Sequence, residues 1–183
     1  FFFQAEAGIR DPLWSRGLGD VYKRQAVMGI MDPYAIQFYP EEIKKRIRLS
    51  DPIESVKKEM KKLSSKADIF ILLTHQGFDL DQKLAKKIDG LDLIIGSHSQ
   101  TKIESPKEVN DALIVQAGKA GYYVGVVEIK TNRGRVVKKS GKIDTMKFNM
   151  PEDPRIMKMI EEYESKTGRI NMRKKKLKEK GNG

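Results

Sequence analysis

Two runs of consecutive apolar residues, with a helical pattern between them, restrict the fold of this chain more than any other feature. The first run, DIFILLT, covers residues 68–74, and the second covers residues 91–95. Continuous apolar runs of this length are typical of strands that are buried on both faces of a sheet. Residues 81–88 repeat apolar side chains at the spacing of one helix face. Strand, helix and strand at this spacing predict a βαβ unit with parallel strands. The apolar residues of the helix face are Leu84, Ala85 and Ile88.

The flanking sequence predicts the other elements of one α/β domain. Asp51 begins a helix that extends to about residue 65, because proline follows at the first helical position and glutamate three residues past the cap. Residues 122–130 alternate in polarity and lead through a turn into residues 135–146, which predicts a β-hairpin. The remaining predicted elements are strands at 26–30 and 112–117, a loop through Pro33 and Pro40, and a last amphipathic helix marked by Ile156, Met159, Ile160 and Tyr163.

The composition narrows the function classes. The chain has no cysteine, which excludes a disulfide framework and a thiolate metal site. Its formal net charge of +11 is typical of proteins that bind nucleic acid. Residues 169–183, however, contain seven basic residues and one acidic residue, and such runs are mostly solvated, disordered tails. We interpret them as a basic disordered tail, with nucleic-acid binding through this tail as an alternative function.

The first 25 residues, FFFQAEAGIRDPLWSRGLGDVYKRQ, differ in character from everything that follows. They begin with three aromatic residues and show no sustained hydrophobic period. They closely resemble the peptide that results when sequencing-adapter DNA is translated. We therefore interpret residues 1–25 as an artefact and exclude them from the fold prediction. We also expect the natural chain to begin well upstream of Ala26.

The chain has only two histidines, His75 and His98, and each follows one of the two apolar runs. The carboxyl ends of adjacent parallel strands meet at one edge of a sheet, so we expect the two imidazoles to lie close together. Neutral imidazole is a good metal ligand, and the amide oxygen of Gln100 can add a harder donor. In an extended segment, His98 and Gln100 would point the same way. Spacing alone leaves two alternatives open, a metal site and two ordinary loop histidines.

A longer stretch, LLTHQGFDLDQKLAKKIDGLDLIIGSHSQT, carries both histidine motifs. It resembles the second half of the calcineurin-like metallophosphoesterase domain, specifically the 5′-nucleotidase branch. The continuation VQAGKAGYYVGVVEIKTNRGRVV is similar to the next strand and hairpin of that family, so the resemblance covers about residues 26–146. It implies a fragment of a four-layer α-β-β-α sandwich, with a parallel βαβ unit followed by a strand and a β-hairpin.

The resemblance also implies a chemistry. Members of this family hold two divalent metal ions, of the Mn, Zn, Fe, Mg or Ca class, which clamp a phosphoryl group during hydrolysis. By resemblance, His75 and His98 bind one ion and Gln100 faces the other. The implied parent enzyme hydrolyses phosphate monoesters, with nucleotides as substrates, in the periplasm or outside the cell; a phosphodiesterase of the same fold is an alternative. Gly77 and Gly96 either let the backbone approach the site or serve as plain turn glycines.

Some motifs of the family have no counterpart in this chain. These are the Asp-x-His after the opening strand, the bridging aspartate and the Gly-Asn-His motif, and no further histidine exists to replace them. We expect them upstream of Ala26 in the parent. Metal affinity falls steeply when ligands are lost, so we expect this chain to bind metal poorly and not to hydrolyse phosphate esters. The expected organisation is a partial metallophosphoesterase domain at 26–150, a helix or linker at 151–168 and the basic tail.

Overall fold

The structure is a computed structural model. It describes residues 24–132, 134–147 and 149–168. The chain divides into two units, with the boundary between Met146 and Lys147. Two predictions, the basic tail and all of the artefact except Arg24 and Gln25, fall outside the described residues. No helix within the described ranges is long and apolar enough to cross a membrane.

The larger unit contains a five-stranded mixed sheet. Its strands are β1 (Gln25–Met31), β2 (Ile69–His75), β3 (Leu93–Ile95), β4 (Lys107–Val109) and β5 (Ala112–Val115). The order across the sheet is β1-β2-β3-β5-β4, and only the pairing of β4 with β5 is antiparallel. A 3₁₀ helix covers Pro33–Phe38, and the α-helices are α1 (Glu41–Lys44), α2 (Pro52–Leu63) and α3 (Phe78–Ala85). The predicted α/β class and the parallel unit β2-α3-β3 are confirmed.

One face of this sheet forms the core together with α2 and α3. Four residues that lie side by side in the strand register fill this face, and none is more than 5% exposed. They are Met28, Leu72, Ile94 and Ile114. The helices and the turn after α3 add Val56, Met60, Leu84, Ala85 and Ile88. Burial of each large apolar side chain stabilises the fold by roughly 1.5–3 kcal/mol, so this layer holds the strand ends at fixed positions.

The opposite face of the sheet is covered unevenly. Leu93 and Leu113 are buried on it, whereas Leu73 and Ile95, which are neighbours in the next row, are 45% and 41% exposed. Burial of the apolar runs on both faces was expected, and this expectation is wrong at Leu73 and Ile95. The reason is their position at the carboxyl ends of their strands, an end that no described element fully covers.

β1 begins at Gln25, within the stretch interpreted as an artefact. Gln25 pairs with Ile69. The backbone N–H and the guanidinium of Arg24 donate to the Asp68 carboxylate at 2.9 and 3.2 Å, and these hydrogen bonds lower the pKa of Asp68. The assignment of an artefact stays a prediction, but the last two residues of that stretch contact the sheet.

Three local features differ from the sequence prediction. The helix expected at 81–88 is α3, which begins and ends three residues earlier. It begins earlier because Gly77 adopts a φ of 92° and turns the chain directly from β2 into the helix. The loop expected through Pro33 contains the 3₁₀ helix and is followed by α1. The edge strand β4 was not predicted, since Lys-Glu-Val is too short to show a hydrophobic period.

Three other local predictions are confirmed. Asp51 caps α2, and its carboxylate accepts a hydrogen bond from the N–H of Glu54 at 2.9 Å. The predicted hairpin consists of β6 (Tyr123–Asn132) and β7 (Arg135–Thr145), which pair antiparallel as a separate two-stranded sheet. In the smaller unit, the predicted last helix is α4 (Pro154–Thr167).

Candidate metal centre

The two histidines meet at the carboxyl edge of the larger sheet. His75 is the last residue of β2, and His98 lies three residues beyond the end of β3. Nε2 of His75 and Nδ1 of His98 are 3.2 Å apart, and the ring centroids are 4.9 Å apart with the rings inclined at 73°. Both His75 and His98 are exposed. The structure thus brings the two imidazoles together, as parallel strands of this register require.

Ser97 determines which nitrogen of His75 carries the proton. Ser97 Oγ donates its single proton to the carbonyl of Thr74 at 2.7 Å, because a carbonyl oxygen can only accept. Nδ1 of His75, which is 2.9 Å from the same Oγ, must therefore be the N–H that donates to the serine. In the neutral ring the lone pair is then on Nε2, the atom that faces His98. A metal ligand at Nε2 requires this tautomer.

The segment that carries His98 and Gln100 is not extended. The φ angles are 78° at His98 and 56° at Gln100, so both residues are left-handed, and the extended conformation in which their side chains would point the same way is not formed. One contact that holds this loop is with α3, where the N–H of Phe78 donates to Ser99 Oγ at 3.2 Å. Gln100 is exposed, two residues beyond His98.

Four polar side chains are buried in the described part of the chain, and they surround the same strand ends. They are Thr74, Gln76, Asp81 and Gln116, none of them more than 7% exposed. Nε2 of Gln76 donates to Oδ1 of Asp81 at 2.9 Å. Burial raises the pKa of Asp81 above its ordinary value, and the hydrogen bond from the side chain of Gln76 opposes this effect. This cluster was not predicted, although Asp81 lies on the apolar face of α3, where a carboxylate signals a buried polar contact.

Gly96 has a specific role between β3 and the loop. A Cβ at this position would lie 2.4 Å from Oδ2 of Asp81 and 3.5 Å from the side-chain amide of Gln116. The backbone can pass this close to the carboxylate only because Gly96 has no side chain. Of the two alternatives for Gly96, the structure favours a close approach over a plain turn, and the group approached is the buried carboxylate.

A cavity of about 330 Å³ lies beside the histidine pair. The carboxyl ends of β1 and β2 line it, and His75 and Ser97 form part of its wall. Cavities of this size accept small-molecule ligands. A ligand in this cavity would contact the His75 ring.

Comparison with known proteins identifies relatives of this chain. No protein-family model matches the chain. The metallophosphoesterase YunD of Bacillus subtilis (strain 168), itself uncharacterised, is 36% identical over 104 residues, which are 57% of this chain and 22% of YunD. The 5′-nucleotidase of Homo sapiens is 29% identical over 136 residues, which are 63% of this chain and 24% of that protein. This chain is related to metallophosphoesterases and 5′-nucleotidases. The predicted resemblance is confirmed.

Solved structures show the same fold. The sulfate thiohydrolase SoxB of Thermus thermophilus superposes with a TM-score of 0.69 at 23% identity, over 79% of this chain and 27% of SoxB. A 5′-nucleotidase precursor, also of Thermus thermophilus, superposes with a TM-score of 0.57 at 27% identity, over 63% of this chain and 27% of that chain. The chain therefore spans 22–27% of the length of these four relatives.

The geometry of the two histidines suits a shared divalent ion. Metallophosphoesterases act through divalent metal ions. Zinc–imidazole bonds are about 2.0–2.1 Å long, so two imidazole nitrogens on one ion lie about 3 Å apart. Nε2 of His75 and Nδ1 of His98 are 3.2 Å apart. Within the described ranges, no group of three or more histidine, cysteine, aspartate or glutamate side chains is placed to hold an ion, so an ion at this pair would need further ligands.

Proposed function

We propose that this chain is part of a dinuclear phosphoesterase that hydrolyses phosphate monoesters, with nucleotides as the substrate class. In this proposal His75 and His98 bind one ion and Gln100 faces the second. The observation that carries the proposal is the 3.2 Å approach of the two imidazole nitrogens, with the lone pair of His75 directed to Nε2 by Ser97. The relatives that are 5′-nucleotidases support a nucleotide substrate.

The residues of this chain contribute orientation and access. The two ions, when bound, supply charge stabilisation at the phosphoryl oxygens and an activated water. Ser97 holds the ring of His75 through Nδ1, and such a second partner raises the basicity of the other nitrogen. The cavity of about 330 Å³ beside His75 leaves room for a phosphate group next to the pair.

We further propose that the chain alone holds an incomplete centre and is inactive, and that the parent supplies the remaining ligands from sequence upstream of Ala26. Two observations support this. The described residues place only two imidazoles together, and the chain spans 22% of YunD. The genomic DNA upstream of the Ala26 codon tests the proposal. We expect in-frame Asp-x-His and Gly-Asn-His motifs there, and a start codon directly upstream would contradict it.

Titration with Zn²⁺ tests the histidine pair. Because the chain has only two histidines, imidazole ¹⁵N NMR spectra contain no other histidine signals. We expect Zn²⁺ to shift Nε2 of His75 and Nδ1 of His98 together, and His98→Ala to weaken binding about tenfold or more. Gln100→Ala is the matched control, since Gln100 faces the other ion, and should leave the affinity within about twofold. A response confined to one histidine would contradict a shared ion.

Phosphate-release assays test the activity. We expect the chain alone to show no metal-dependent hydrolysis of a nucleoside monophosphate or of p-nitrophenyl phosphate. A parent that carries the upstream motifs should hydrolyse the nucleoside monophosphate in preference to bis(p-nitrophenyl) phosphate, a diester. Robust turnover by the chain alone would contradict the incomplete centre, and a preference for the diester would favour a phosphodiesterase.

A further inference from the structure

Two proposed ligands on the loop after β3 are held in a conformation that their residue types disfavour. His98 and Gln100 have φ angles of 78° and 56°, and residues other than glycine lose free energy in the left-handed region. Such a conformation persists only when surrounding contacts hold it. The contacts that hold this loop therefore determine where the His98 ring lies.

Gln116 makes the most extensive of these contacts. It directly follows β5, and it is 3% exposed. In the amide orientation that matches donors with acceptors, its oxygen accepts from the N–H groups of Gln100 at 3.0 Å and Thr101 at 3.2 Å. Its nitrogen donates to Oγ of Ser99 at 3.1 Å. The opposite orientation would place the amide NH₂ against two N–H donors. One buried side chain thus binds three successive residues of the loop.

Ser99 extends this contact to α3. Its Oγ accepts from the N–H of Phe78 at 3.2 Å and from the Gln116 amide at 3.1 Å. Because both of these partners donate, the hydroxyl proton of Ser99 goes to Oγ1 of Thr101 at 2.9 Å. The loop is therefore hydrogen-bonded on one side to the residue that follows β5 and on the other to the first residue of α3.

We propose that Gln116 is a positioning residue, which holds this loop left-handed and thereby keeps Nδ1 of His98 facing Nε2 of His75. The inference rests on the proposed function, in which these two nitrogens share an ion. Gln116 acts through the backbone of Gln100 and Thr101, so it has no role as a ligand. A glutamine suits this position because it offers an acceptor and a donor in one buried side chain. Methionine has nearly the same size and offers neither, whereas glutamate keeps the acceptor.

Gln116→Met and Gln116→Glu, with Asn110→Ala as a matched control, test this role. The side-chain amide of Asn110 also binds the backbone, but as a donor to the carbonyls of Ala85 at 3.2 Å and Ile88 at 3.3 Å, at the opposite end of α3. Three quantities are measured on the chain: the nuclear Overhauser effect between the two imidazole rings without metal, the affinity for Zn²⁺, and the free energy of unfolding in urea. The first of these does not depend on any metal.

We expect Gln116→Met to abolish the ring-to-ring Overhauser effect and to weaken Zn²⁺ binding about 10- to 100-fold. Gln116→Glu should restore the Overhauser effect and bring the affinity to within about threefold of the wild type. Asn110→Ala should lower stability and change neither histidine readout. A methionine variant that keeps both readouts would overturn the proposal, as would an Asn110→Ala variant that loses both.

The metal-free measurement separates this inference from the proposed function. If Gln116→Met abolishes the Overhauser effect but the wild-type chain binds no Zn²⁺, the metal assignment fails and the positioning role stands. If Gln116→Met does not fold, Ser99→Ala gives the same test, because it removes one amide partner and leaves Gln116 in place. It should weaken both readouts, and unchanged readouts would overturn the proposal.

Discussion

Replacing Gly96 with alanine probes the packing beneath the candidate metal centre. The added Cβ lies 2.4 Å from Oδ2 of Asp81, far inside contact distance. The carboxylate has no room to move away, because Asp81 is 0% exposed and its Oδ1 is held by Gln76 at 2.9 Å. Gly96 does not adopt a positive φ, so alanine adds no backbone strain. The whole effect therefore comes from the collision with the buried carboxylate.

The expected cost is about 2–3 kcal/mol, in the upper half of the range for overpacking a core, because the obstacle is a buried carboxylate with a hydrogen bond to lose. Gly29→Ala is the matched control. Gly29 lies in β1 of the same sheet and, like Gly96, has no positive φ, but a Cβ there meets no atom within 4 Å. Its replacement should change the free energy of unfolding by less than about 0.5 kcal/mol.

Urea denaturation followed by far-UV circular dichroism measures these differences, and Asp81→Ala completes a double-mutant cycle. Asp81→Ala destabilises by itself, since it leaves the Gln76 amide without its acceptor. It also makes room for the new Cβ, so in the Asp81→Ala background Gly96→Ala should cost less than about 1 kcal/mol. The difference from its cost in the wild type is a coupling energy of about 1 kcal/mol or more. Equal costs for the two glycine variants, or an additive cycle, would refute the reasoning.

Three further substitutions have definite expected outcomes. Ser97→Ala removes the acceptor of the His75 Nδ1–H, so the neutral His75 ring should populate both tautomers. The two ¹⁵N chemical shifts of the ring should then approach each other, and unchanged shifts would contradict the role of Ser97. Asp81→Asn removes a carboxyl whose pKa burial raises above 3.8. The folded wild type holds that proton more tightly than the unfolded chain, so it loses stability as the pH rises from 3.8 through the folded pKa. The variant has no such loss, and its urea midpoint should therefore rise relative to that of the wild type over this pH range. Urea midpoints that change in parallel with pH would exclude this titration. Asp51→Ala removes the acceptor for the Glu54 N–H and should cost about 1 kcal/mol, measured by the same denaturation; no loss would show that water replaces the cap.

The parallel unit was predictable because its signals are local. Continuous apolar residues over 68–74 and 91–95, with a helix between them, allow few arrangements other than adjacent parallel strands. The cap of α2 depends only on Asp51 and the N–H three residues later. β4 is different, because Lys107–Val109 becomes a strand only by pairing with β5. Nothing within those three residues indicates a strand.

The candidate site shows the same division between local and distant causes. The proximity of His75 and His98 follows from the sheet, since each lies at or just past the carboxyl end of a parallel strand. The left-handed conformation of His98 and Gln100 does not follow, because it depends on Gln116, which approaches the loop only in the folded chain. From the sequence, an extended loop was only a condition under which His98 and Gln100 would point the same way, and the folded chain does not meet it.

The two histidines and the buried polar side chains that surround them all come from residues 74–116. The candidate site is therefore contained in one continuous segment of the chain. A recombination event that keeps this segment whole transfers the histidine pair together with the groups that orient it, whereas a breakpoint inside the segment separates the histidines from those groups. Among diverging chains, the arrangement should accordingly be gained or lost as a block.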